Sequence, residues 1–135
     1  MWQIVAGIFL TLHGLVHLLY LGQSSRRFQL RPGMTWPDGS WTFSHLLGDE
    51  SARSAAGVSC GLAAIGFVAG GIGVFATQAW FRPLVIGSAA FSSLVYILFW
   101  DGRMRALANK GLFAILINLA VLVASFVVKW PASDL

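Results

Sequence analysis

The chain has 135 residues, of which 57% are hydrophobic and 10% charged, and its formal net charge is +4. A soluble domain contains about 25% charged residues, so this composition excludes soluble, disordered and collagen-like proteins. A membrane span needs about 20 apolar residues, so the chain suits four spans in a single integral membrane domain, residues 1–135. We therefore expect an all-α membrane protein, a four-transmembrane-helix bundle.

Four windows of the chain carry no charged residue, namely 2–25, 54–81, 83–100 and 111–128. A charge at the bilayer centre costs about 2.5–3.5 kcal/mol, so spans should lie within such windows. We predict spans over about 2–22, 54–77, 82–100 and 110–130, with a long loop over 23–51. The first window lacks a preceding basic residue and a following A-x-A site, so we interpret it as a retained helix, not a signal peptide.

The long loop contains the segment GMTWPDGSWTF, residues 33–43. Its apolar residues alternate on both sides of a Pro-Asp-Gly turn, a pattern that predicts a short β-hairpin. Tryptophan favours the headgroup level of a membrane. We therefore favour a structural cap built from Trp36 and Trp41 over a loop that grips a ligand.

Basic residues are distributed unequally between the two sides of the predicted bundle. Two residues, Arg82 and Lys129, lie on one side, and the two loops on the other side carry the rest: Arg26, Arg27, Arg31, Arg53, Arg103, Arg105 and Lys110. Such loops are usually cytoplasmic, which predicts a multi-pass membrane protein with both termini outside. The predicted outer ends also carry Trp2, Trp80 and Trp130.

The same distribution bears on partners. The basic residues are interspersed with spans and form no single soluble patch, so we predict the lipid bilayer and not nucleic acid as the partner.

Small residues recur along the second span at Ser59, Ala63, Gly66, Gly70, Gly73 and Thr77. This stripe predicts close helix packing, and it fits a monomer, a homo-oligomer or a complex with another membrane protein. We expect Gly70→Leu to be disruptive and the lipid-facing change Val68→Leu to be mild.

The first span contains the sequence HGLVH, in which His13 and His17 lie on one helical face. Counted from the cytoplasmic helix ends, His13 lies nine residues deep and Asn118 eight. Residues at matched depth predict one polar layer, consisting of His13, Asn118, Ser92, Ser93 and Ser59, with His17 and Tyr96 forming a second layer nearer the cytoplasm. We predict that His13 and Asn118 lie within direct or one-water hydrogen-bonding distance, with Ser92 or Ser93 nearby.

Three classes of function remain open for this layer. The favoured one is a structural or partner-binding bundle whose polar network sets the helix register. The second is a redox membrane protein with a metal, haem or quinone at His13 and His17, since neutral imidazole is the commonest metal ligand. The third is a small-substrate or proton transporter in which a histidine relay replaces the carboxylate that every predicted span lacks.

A bis-histidine haem site requires one histidine on each axial face of the haem. Two histidines four residues apart on one helix cannot occupy both axial faces of one haem, so a bis-histidine site needs His45 from the loop or a second copy of the chain. The pair also lacks the glutamate of the H-E-x-x-H metalloprotease motif. We therefore predict no catalytic residues and favour a function other than catalysis.

Three segments, HGLVHLLY, RPGMTWPDGSWTFSHLLGD and LFWDG with GLFAILINLAVLV, carry a resemblance to known sequences. On these segments the chain resembles an uncharacterised family of small four-span bacterial membrane proteins, with an HGxxHL first helix and a WPDGSW loop. The resemblance extends over most of the chain. It implies a four-span fold in a bacterial membrane, and it carries no established activity.

Overall fold

The computed structural model describes residues 1–127 and 129, in which all regular structure is helical. In chain order the α-helices are α1 (Trp2–Ser24), α2 (Ser44–Leu47), α3 (Asp49–Phe75), α4 (Phe81–Leu98) and α5 (Leu112–Val127), and a 3-10 helix (Leu107–Lys110) precedes α5. Three of them, α1, α3 and α4, are long and apolar enough to cross a membrane. The all-α prediction is confirmed.

The helix that we predicted as a fourth span differs from the expected 110–130. Gly111 adopts φ +89°, which separates the 3-10 helix from α5. The described part of α5 has 16 residues and is apolar. Because a span needs about 20 residues, a fourth span is not confirmed. Residues 128 and 130, at the predicted outer end, lie outside the described residues.

The β-hairpin is also not confirmed, because residues 34–43 form turns and contain no strand. Several polar groups of this segment bind backbone carbonyls at the end of α4. The Ser40 hydroxyl donates to the Leu98 carbonyl at 2.7 Å, and the Trp41 indole N–H donates to the Ile97 carbonyl at 2.8 Å. The backbone N–H of Trp41 donates to the Trp100 carbonyl at 2.8 Å. The segment therefore caps carbonyls of the last turn of α4 and of Trp100 just beyond it.

Helix α3 lies between α1 and α4 and runs antiparallel to both. Its predicted stripe faces α4, since a Cβ on Gly70 would lie 2.6 Å from Val85 Cγ2 and one on Gly73 would lie 2.8 Å from Phe81 Cβ. On the α1 side, a Cβ on Gly71 would lie 2.9 Å from a backbone carbonyl oxygen of α1. Glycine thus permits backbone approach on two faces of one helix.

One expectation about α3 is wrong. Val68 does not face outward, because its Cγ2 lies 2.9 Å from the position of a Cβ on Gly14 of α1. Val68 is half-buried, whereas Ile65 and Ile72 are 67% and 55% exposed. The stripe alone does not reveal this second contact, because a helix packed on two sides leaves only a narrow outer face.

Candidate functional site

Four polar side chains meet in the core of the bundle. His13 and His17 come from α1, Ser92 from α4 and Asn118 from α5, and each is at most 4% exposed. The two histidines share a buried face of α1 with Leu10 because residues three or four apart align on a helix. Three separate helices therefore contribute to one polar cluster.

The four side chains form a closed ring of hydrogen bonds, which we call the polar ring. His13 Nε2 lies 2.8 Å from Asn118 Oδ1, and Asn118 Nδ2 lies 2.8 Å from Ser92 Oγ. Ser92 Oγ lies 2.6 Å from His17 Nε2. His17 Nδ1 closes the ring at 2.9 Å from the carbonyl oxygen of His13. The hydrogen bond that we predicted between His13 and Asn118 is present and direct.

The chemistry of the acceptors assigns every proton in the polar ring. The His13 carbonyl only accepts, so His17 Nδ1 carries the proton and donates it. In a neutral His17 the other nitrogen then accepts, and the Ser92 hydroxyl must donate to it. Ser92 in turn accepts from the Asn118 amide N–H, while the Asn118 amide oxygen accepts from His13 Nε2–H. With two neutral imidazoles, every bond in the ring has one donor and one acceptor.

An aromatic wall from α3 covers the polar ring. Phe67 is fully buried, and its ring centroid lies 4.6 Å from that of His13 and 5.2 Å from that of His17. We predicted instead that α3 would contribute Ser59 to the polar layer. Position 67 gave no sequence signal, because a phenylalanine in an apolar window is indistinguishable from any core residue.

Two predicted serines lie apart from the polar ring because each satisfies its own hydroxyl locally. Ser59 donates to the Ala55 carbonyl and Ser93 donates to the Ala89 carbonyl, each at 2.8 Å along its own helix. This bond to the preceding turn is a common solution for serine within helices. Of the two adjacent candidates on α4, only Ser92 joins the ring.

Tyr96 flanks the polar ring without a hydrogen bond to it. Its ring centroid lies 6.0 Å from that of His17 and 4.9 Å from those of Tyr20 and Trp36. The Tyr96 hydroxyl is buried beside the Cys60 thiol and makes no hydrogen bond to the polar ring. The second layer that we predicted from His17 and Tyr96 is therefore an aromatic cluster that joins the helices to the capping loop.

The loop is anchored by a residue that the sequence did not single out. Gln23 is 7% exposed at the end of α1. Its side-chain oxygen accepts from the Leu30 N–H at 2.9 Å, and its amide N–H groups face the carbonyls of Met34 and Trp36 at 3.3 and 3.4 Å. In the sequence, the only indication of this anchoring role was an uncharged polar residue at the end of a predicted helix.

Ion pairs at the loop end lie outside the polar ring. Lys110 Nζ lies 2.9 Å from Asp101 Oδ2, and Arg53 pairs with Asp38 of the loop. Partial burial opposes ionisation of Asp101, but the Arg103 backbone N–H and the Lys110 ammonium outweigh it and lower the pKa of this carboxyl. These pairs tie the loop and the α4–α5 connection to the helices.

The polar ring offers little to a metal or haem iron. Three of its four imidazole nitrogens are engaged in hydrogen bonds, and only His13 Nδ1 takes no part. His45, the predicted third ligand, is exposed on α2. Within residues 1–127 and 129, no three His, Cys, Asp or Glu side chains group as a metal site would require. Ligation at His17 would have to break a bond of the ring.

Comparison of the chain with protein-family models, with curated proteins and with solved structures finds no significant match.

Proposed function

We propose that this protein is a four-span bundle of the bacterial inner membrane that acts as a structural or partner-binding protein, with the polar ring as the device that sets helix register. The observation that carries the proposal is the closure of the ring, in which each hydrogen bond has one donor and one acceptor. Interhelical hydrogen bonds in membranes average only about 0.6 kcal/mol, so such a ring specifies one arrangement more than it stabilises it.

The surface of the helices supports the membrane part of the proposal. Large apolar side chains are exposed along α1, α3, α4 and α5, including Leu12 at 57%, Ile65 at 67%, Leu94 at 56% and Val123 at 58%. A soluble protein rarely exposes so much contiguous apolar surface. In this proposal α5 is the fourth span, and the excess of basic residues at the loop end orients that end to the cytoplasm, with both termini outside.

The geometry favours the two alternative functions less. A metal, haem or quinone at the histidines would compete with hydrogen bonds that already saturate His17. A proton or substrate path needs an opening to the ring, and three cavities at the loop end are lined by described residues that do not belong to it. The ring is thus better suited to hold helices than to exchange a ligand.

Purified protein in lipid nanodiscs tests the proposed function. We expect no Soret band and no stoichiometric metal, and proteoliposomes should show no proton flux above empty vesicles. Asn118→Leu should lower the unfolding temperature, because it leaves His13 Nε2–H without its acceptor and the Ser92 oxygen without its donor. Flux that disappears in a folded Asn118→Leu variant, or haem or metal bound at one equivalent, would contradict the proposal.

A further inference from the structure

A cleft of about 800 Å³ opens between the end of α1 and the start of α3. Its outer part is lined by two guanidinium groups, Arg26 and Arg53, and by two carboxylates, Asp49 and Glu50. These formal charges cancel. A ligand that complements this lining therefore carries one anionic and one cationic group instead of a net charge.

The two arginines of the α1–α3 cleft differ in how they are held. Arg53 is 9% exposed and is held by its ion pair with Asp38, a loop residue outside the cleft lining. Arg26 is exposed, and its charge interacts with that of Asp49 without a direct ion pair. A guanidinium presents several N–H donors in a fixed plane that matches the oxygens of a phosphate. Arg26 therefore leaves donors available to an anionic group in the cleft.

The part of the α1–α3 cleft that lies further from the loop end is apolar. It is lined by Leu21, Gly57 and Val58, and Val58 is 66% exposed on the outer face of α3. A Cβ on Gly57 would lie 2.7 Å from Ser24 Oγ, so the helices approach closely at the base of the cleft. From the loop end of α1 and α3 toward the middle of these helices, the lining of the cleft changes from charged to apolar. A phospholipid has the same order, with a charged headgroup followed by an apolar acyl chain.

On the basis of the membrane location in the proposed function, we propose that the α1–α3 cleft binds phosphatidylethanolamine. Arg26 and Arg53 bind the phosphate, Glu50 accepts hydrogen bonds from the primary ammonium, and an acyl chain lies along Val58. An anionic lipid without an amine leaves Glu50 facing its phosphate. Phosphatidylcholine has the positive charge but no N–H donor for the carboxylate.

Competitive lipid retention tests this assignment. The protein is placed in nanodiscs of dioleoyl phosphatidylethanolamine, phosphatidylcholine and phosphatidylglycerol in equal amounts, and the lipids that remain bound after detergent extraction are counted by native mass spectrometry. An exposed ion pair contributes up to about 1 kcal/mol, so we expect about threefold preference for phosphatidylethanolamine over each competitor. Equal retention, or a preference for phosphatidylglycerol, would overturn the proposal.

Matched variants assign the preference to the cleft. Glu50→Gln should abolish the discrimination between phosphatidylethanolamine and phosphatidylcholine, and Arg26→Gln should lower retention of both. Arg27→Gln makes the same charge change one residue away, outside the cleft lining, and should behave as wild type. If Arg27→Gln and Arg26→Gln lose retention equally, the cleft is not the site.

A steric variant addresses the acyl chain. Val58→Trp should fill the apolar part of the cleft and reduce retention, whereas Leu62→Trp, at a position that is 57% exposed and outside the lining, should not. Unfolding temperatures establish that each variant is folded. A wild-type chain that does not enter nanodiscs at all would contradict the proposed membrane location, which is a different result from insertion without lipid preference.

Discussion

Individual polar residues in this bundle are distinguished by where their hydrogen bonds go. Ser92 and Ser93 are neighbours on α4, and both are buried. Ser93 is satisfied by its own helix, while Ser92 connects His17 of α1 to Asn118 of α5. The matched depths of His13 and Asn118 were predictable from the helical rise of about 1.5 Å per residue. The choice between the serines was not, because it depends on the rotation of α4.

Ser92→Ala and Ser93→Ala form a matched pair for testing the polar ring. Ser92→Ala leaves the His17 acceptor and an Asn118 donor unpaired, which should lower the free energy of unfolding by about 1–3 kcal/mol. Ser93→Ala removes only a bond within the helix, so its effect should stay below about 0.5 kcal/mol. Equilibrium unfolding in mixed micelles measures both. Equal losses would mean that the ring contributes nothing specific.

Asp101 gives the protein a pH dependence at the loop end. Its pKa is lowered in the folded state, so its contribution to stability is complete above the ordinary carboxyl pKa of about 3.9 and is lost as the pH falls through the lower folded value. Thermal unfolding between pH 6 and pH 3, with Asp101→Asn as reference, measures this. We expect the difference between wild type and Asp101→Asn to shrink below about pH 4. A constant difference would contradict the assignment.

At the scale of elements, α3 organises the bundle because it packs closely on two sides. The glycine spacing along it was readable from the sequence, and the structure places Gly66, Gly70 and Gly73 against α4. The contact of Val68 with Gly14 was not readable. A one-dimensional stripe identifies a helix face that packs well, but it does not identify which neighbour lies there or whether the opposite face packs too.

Two glycines provide a test of this packing. A side chain at Gly70 meets Val85 at 2.6 Å, whereas a Cβ at Gly87 on α4 meets nothing within 4 Å. Overpacking a tight interface costs about 1–3 kcal/mol, so Gly70→Leu should lower the unfolding temperature strongly. Gly87→Leu should have little effect, measured in the same detergent. Equal tolerance of both changes would show that the α3–α4 contact is loose.

The capping loop is held to α1 by Gln23. Gln23→Leu removes its hydrogen bonds to the backbone of residues 30, 34 and 36, so the Leu30 amide loses the acceptor that protects it from hydrogen exchange. Gln29→Leu, an exposed glutamine of the same loop, is the control. We expect several-fold faster exchange of the Leu30 amide in Gln23→Leu only, measured by hydrogen–deuterium exchange mass spectrometry. Unchanged exchange would place the anchor elsewhere.

At the scale of the whole molecule, all the connections on one side form a single structured end. The loop caps α4, the Asp101–Lys110 pair holds the α4–α5 connection, and the α1–α3 cleft opens between the remaining helix ends. Seven of the nine basic residues belong to this end. In the orientation proposed above, the positive-inside rule places this end in the cytoplasm.

Cysteine labelling measures this orientation. In a Cys60→Ala background, His45→Cys reports on the loop end and Gln78→Cys on the opposite end, and both positions are exposed. A membrane-impermeant maleimide should label Gln78→Cys in intact cells and His45→Cys only after lysis. The reverse pattern would invert the topology.

The sequence by itself determined the all-α architecture and, of the four spans that we predicted, the three that form long apolar helices, because charge-free windows and small-residue periodicity are local properties of the chain. It also placed His13 and Asn118 at one depth, since helical rise is constant. Only the tertiary structure decided that Ser92 and not Ser93 or Ser59 joins the histidines, and that residues 34–43 cap α4 instead of forming a hairpin. These outcomes depend on helix rotation and on which carbonyls lie within reach, and such long-range geometry leaves no local pattern.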